Sequence, residues 1–154
     1  MIKIFPLLLS VFCLFAMPEV PADVLDEVRK NYSKMASNED LCKTAMANLS
    51  EIKDHSATHL GYLGGLQTIW ANHVFSPISK LNTFNKGKKN IEQAIKKEPK
   101  NVELRFIRLS VQKNAPSFLG YYSNIKEDMQ FIKNNRSGIK SEILNKHIES
   151  LLKE

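Results

Sequence analysis

From Leu25 to Leu152 the apolar residues recur at steps of three and four, the spacing of one face of an α-helix. No stretch keeps the period of two that a half-buried strand requires, so the sequence predicts no sheet. Six Gly and six Pro in 154 residues also argue against a turn-rich β fold. Leu25, Val28, Tyr32 and Met35 form the face of a first helix. Asn38 is placed to cap a second, with Glu39 and Asp40 favouring its positive end and Leu41, Ala45, Leu49 and Ile52 facing inward. A third is expected from about Ser56 to Val74, with Leu60, Leu63, Leu66, Trp70 and Val74 inward. Trp70 is expected to be largely buried on that shared face.

Punctuation continues in the second half. Ser76-Pro77 is a cap followed by proline at the first helical position. The fourth helix then turns Ile78, Leu81, Phe84, Ile91 and Ile95 inward until Pro99 stops it. Asn101 caps a fifth, Val102 to about Lys113, which is apolar on most sides and therefore central. Pro116 breaks the pattern. A sixth helix uses Tyr122, Ile125, Met129 and Ile132, and a seventh uses Ile139, Ile143, Leu144, Ile148 and Leu151. Short connections force antiparallel neighbours. The expected fold is all-α, a stack or bundle of six to seven helices in antiparallel hairpins.

The first 22 residues read differently. Lys3 precedes an apolar run from Ile4 to Ala16, too short to span a membrane, and the small residues Val20-Pro21-Ala22 follow. This order is that of a signal peptide cleaved before Asp23, leaving one helical domain over 23–154. Cys13 follows Val11-Phe12, a poor setting for lipidation, and leaves with the leader. Cys42 is then the lone cysteine, read as a small buried hydrophobe. No other apolar run approaches a membrane span, so the expected protein is exported, periplasmic or secreted, with no membrane span after cleavage.

The formal net charge is +6, from 22 Lys and Arg against 16 Asp and Glu. Lysine supplies most of it, scattered along the chain and not interleaved with aromatics, a pattern that speaks against nucleic acid. Catalytic signatures are missing: the sequence holds no GxSxG, HExxH, phosphate-binding GxxxxGK[ST] or GxGxxG. No cofactor is assigned and no enzyme is expected. The metal candidates are His55 and His59, one helical turn apart with Glu51 a turn before. Gly61, Gly64 and Gly65 form, with Ala57, a small-residue stripe suited to close helix packing. Lys86, Lys89, Lys96, Lys97 and Lys100 lie opposite Ile91 and Ile95, as a solvated face or an anion-attracting surface.

Arg105, Arg108 and Gln112 step along the apolar fifth helix. Buried charges need partners. Glu92, Glu103 and Asp128 are the candidates for a salt-bridge network, and Asp128 is expected to meet at least one of the two arginines. The alternative is a groove in which the guanidinium groups bind an anion bidentately.

Ile91, Ala94, Ile95 and Pro99, followed by a new apolar helix, resemble the junction between two tetratricopeptide repeats. The residues Phe75–Leu81, Phe84, Gly87-Lys88, Glu103–Leu109, Gln112, Ala115–Tyr121, Asp128 and Phe131-Ile132 are similar to a group of small exported helical proteins of Bacteroidetes-type bacteria. That resemblance implies export and a helical fold, and no reaction. Three functions follow as expectations: an interaction module for a protein partner in the cell envelope, a binding protein for a small anionic ligand or envelope surface, and a metal-dependent enzyme.

Overall fold

Local signals place the helices in the computed structural model, which describes residues 23–52 and 56–153. The predicted leader and His55 lie outside the described residues. Seven α-helices follow in order: α1 Val24–Asn31, α2 Glu39–Glu51, α3 Ala57–Trp70, α4 Pro77–Lys97, α5 Val102–Asn114, α6 Ile125–Asn135 and α7 Glu142–Lys153. No strand occurs among the described residues, so the all-α expectation holds. The caps are where the sequence puts them. Asn38 accepts from the Leu41 amide, Ser76 from that of Ser79 with Pro77 next in line, and Asn101 from those of Glu103 and Leu104. Each satisfies an amide that the first helical turn leaves without a partner.

Boundaries shift by a turn in four places, one of them at α7, which begins at Glu142 and leaves Ile139 outside. Tyr32–Lys34 is a 3-10 turn ending α1, α3 stops at Trp70 instead of Val74, and α6 begins at Ile125, leaving Tyr122 outside. After Pro116 a 3-10 turn, Ser117–Leu119, closes on Gly120 at φ +63°, a left-handed conformation that suits glycine.

One buried cluster draws on all seven helices. Helix α3 packs on α2, α4 and α5, and α5 packs on α3, α4, α6 and α7. Both are central. The glycines explain how α3 achieves this. Gly64 and Gly87 of α4 bring the two backbones together: a Cβ at Gly64 would stand 2.7 Å from the Gly87 carbonyl oxygen. Gly61 faces Leu104 and Ile107 of α5, and Gly65 faces Tyr32 and Ile107.

This packing corrects the expected face of α3. Tyr62 and Leu66 are fully buried, whereas Leu60, Leu63, Trp70 and Val74 are half-buried. Glycine contacts set the orientation of the helix, and the large side chains fill its flanks. Trp70 packs against the edge of the core and lies beside His73, ring centroids 5.4 Å apart.

The α4 face is corrected too. Phe84, Ile91 and Ile95 are buried as expected, but Ile78 is 74% and Leu81 47% exposed. The cause is length. Helix α4 has 21 residues and α5 has 13. The Glu92–Arg108 ion pair aligns the two, so the start of α4 runs past the end of α5 by roughly 12 Å at ~1.5 Å per residue. Among the described residues no partner helix covers that overhang.

Candidate functional site

The sequence singles out the α5 polar stripe first. Arg108 is 4% exposed and donates to both oxygens of Asp128, from Nε at 2.7 Å and from a terminal nitrogen at 2.8 Å. Its third bond reaches Glu92 at 3.0 Å. Asp128 is fully buried and takes a further bond from Arg105 at 2.9 Å. Arg105 also donates to Glu127 at 2.8 Å and to the Pro99 carbonyl, with its guanidinium 4.9 Å from the Phe131 ring centre. Tyr121 closes the set by donating to Glu92 at 2.6 Å. Burial opposes the charge on Arg108, but the Asp128 bonds outweigh it and hold its pKa above that of a free guanidinium. The bond from Arg105 lowers the Glu127 pKa.

This arrangement is a brace across α4, α5 and α6. Asp128 meets both arginines. Glu103 does not join them: it accepts from Arg29 at 2.7 and 3.0 Å and from Tyr62 at 2.6 Å, tying α1 and α3 to α5. Gln112 is buried and exchanges hydrogen bonds with Asn124, its amide donating at 3.3 Å and its carbonyl accepting from the Asn124 backbone at 3.2 Å. It anchors the start of α6.

Lys86, Lys89, Lys96, Lys97 and Lys100 are all exposed. They do not converge. Lys100 lines an open cleft with Arg29, Glu103, Lys140 and Ser141 at the far end of α5, whereas Lys86 and Lys89 lie on the middle of α4. Lys88 stands apart from that row, its ammonium 4.9 Å from the Tyr121 ring centre.

His59 Nδ1 and Ser56 Oγ are 2.6 Å apart at the start of α3. His73 and His147 sit elsewhere, near the Met35 and Arg29 carbonyls respectively. Among the described residues no group of three or more His, Cys, Asp or Glu is arranged to hold a metal ion. Cys42 is buried, and burial pushes its thiol up to about 11, well away from a reactive thiolate.

A different surface emerges where α4 overhangs. Six large apolar side chains are exposed among the described residues, and five of them belong to this end of the molecule. Phe75 (100% exposed) and Phe118 (85%) stand in the connections, with Ile78 and Leu81 on α4 and Tyr122 (59%) before α6. The connection after α5 is held against α4 by Tyr121 and Phe84, whose rings meet edge to face at 6.1 Å. The flanking chain is one-signed: neither 56–91 nor 104–126 contains an Asp or Glu. Both signals are present in the sequence, as aromatic residues beside Pro77 and between Pro116 and Gly120, and as long carboxylate-free runs. Reading steps of three hides them, because Ile78, Leu81 and Phe84 follow one another at that spacing, although two such steps turn Ile78 ~120° away from the buried Phe84.

Against known proteins, no family model, no curated protein and no solved structure matches this chain.

Proposed function

We propose that this chain is an exported docking module of the cell envelope, a braced helical frame that holds an envelope component at the overhanging end of α4. The exposed set of Phe75, Ile78, Leu81, Phe118 and Tyr122 carries the reading. Large apolar side chains concentrated at one end of a small chain mark a contact surface. The internal pairing agrees with this division of labour. Arg105, Arg108, Gln112 and Asp128 are taken up in holding helices together.

The test is retention by native envelope. The wild-type protein is expected to sediment with the envelope fraction. A variant carrying Phe75→Ser, Ile78→Ser and Phe118→Ser is expected to remain in the supernatant with its helical circular dichroism unchanged. Equal retention of both proteins refutes the reading.

A further inference from the structure

We infer that the surface met by the overhanging end is an anionic lipid bilayer, with Phe75, Ile78 and Phe118 entering the headgroup region and lysines around them facing the lipid phosphates. This rests on the docking reading above and names the chemistry of its partner.

Shape is the first argument. The apolar residues project from a protruding hairpin end, and polar Ser76, Ser79 and Asn82 alternate with them. A stable protein interface needs about 800 Å² per partner, packed at interior density. A few separated side chains on a projecting tip do not supply that. A bilayer does not require complementarity of shape, since its fluid interface admits each apolar side chain separately, to a depth of about 5–10 Å. The overhang of α4, roughly 12 Å at ~1.5 Å per residue, is long enough to carry Phe75 and Ile78 to that depth.

Charge is the second. Lys80 is exposed in the first turn of α4, and Lys126 is exposed at the start of α6. Lys113 donates to the Leu151 carbonyl and so draws the end of α7, with Lys153, to the same side. The carboxylates bonded near this end, Glu92 and Glu127, are each paired with an arginine of α5, Arg108 and Arg105; Glu39 and Asp40 lie in the first turn of α2. The contact between His73 and the Met35 carbonyl places that turn beside the end of α3, and α2 packs on α3, whereas α4 has its own face of α3. Lysines near an anionic leaflet gain attraction that decays within a Debye length, about 10 Å at 0.1 M salt. Lys80, two residues beyond Ile78 on α4, falls in that range at ~1.5 Å per residue, and Lys96 and Lys97, at the far end of α4, do not.

The experiment is co-sedimentation of the purified protein with vesicles of phosphatidylglycerol mixed into phosphatidylcholine, and with vesicles of phosphatidylcholine alone. Binding to the anionic vesicles is expected, at least ~10-fold tighter than to the neutral ones and weakening as salt rises. Phe75→Ser with Phe118→Ser is expected to weaken it by ~10-fold or more, as for large apolar groups lost from the interface. Both side chains are exposed, so circular dichroism should be unchanged. Lys80→Gln with Lys126→Gln should weaken binding and flatten its salt dependence, whereas Lys96→Gln should not. No binding to anionic vesicles, or binding indifferent to Phe75 and Phe118, overturns the inference. Retention by native envelope without vesicle binding points to a protein partner; it overturns the lipid inference and leaves the docking reading intact. Loss of both overturns both.

Discussion

Arg108 holds both oxygens of Asp128 at 2.7 and 2.8 Å, and Asp128 is fully buried while Arg108 is 4% exposed. The pair joins α5 to α6, and Glu92 and Arg105 extend it to α4 and back to the Pro99 turn. Such a cluster is costly to desolvate and is held only by complete pairing. Asp128→Asn removes the charge shared by two guanidinium groups. It is expected to destabilise the fold by ~3–5 kcal/mol, well above the ~0–1 kcal/mol of a surface pair. Urea denaturation followed by circular dichroism measures this, and a midpoint unchanged from wild type would show that the brace carries no stability.

Gly87→Ala should be harmful despite alanine's better helix propensity. A Cβ there would lie 2.5 Å from the Gly64 carbonyl oxygen and 2.8 Å from the Thr68 amide nitrogen, both backbone atoms of α3. Relief requires the two helices to separate. The expected cost is ~1–3 kcal/mol, which outweighs the ~1 kcal/mol that alanine contributes in a helix. Gly138→Ala is the control, since its Cβ would meet nothing within 4 Å. Comparable thermal midpoints for the two variants would contradict the close approach.

Three of the four tyrosines are held protonated by the fold. Burial raises Tyr32 to about 12. Burial, then the Glu103 carboxylate, raises Tyr62; burial, then Glu92, raises Tyr121. A raised folded pKa contributes stability that is complete below the unfolded value of ~10. Above it, the unfolded chain releases protons that the folded chain retains, so stability falls as pH climbs toward the folded values. Alkaline titration should therefore show phenolate absorbance from the three tyrosines appearing together with loss of helical signal. Full phenolate formation near pH ~10 in a still-helical protein would contradict the buried pairs.

The proposed export has its own measurement. Mass spectrometry of the protein recovered outside the cytoplasm is expected to give an N-terminus near Asp23, after removal of the charged, apolar and small-residue segment. Recovery of the chain with Met1 still attached would remove the basis for placing it in the envelope.

Much of the fold was legible in the chain. The helical period, the caps at Asn38, Ser76 and Asn101, and the stop at Pro99 mark where helices begin and end, because they act within a turn or two of backbone. The glycine stripe on α3 likewise announces a close approach, and the Arg105–Arg108 spacing announces a need for carboxylates. What met those demands was settled by the return of distant segments. Gly87 supplies the second half of the approach, Asp128 serves both arginines, and Glu103, expected at the brace, is held instead by Arg29 and Tyr62. The exposed end follows the same logic. Ile78 and Leu81 precede Phe84 at steps of three, and the steps alone treat them as core with Ile91, although the drift turns Ile78 ~120° round the helix from Phe84. Whether an apolar side chain is buried depends on a neighbour being present at its level, and α5 ends about two turns short of the start of α4. Period is a property of one helix; burial is a property of how helices of unequal length are paired.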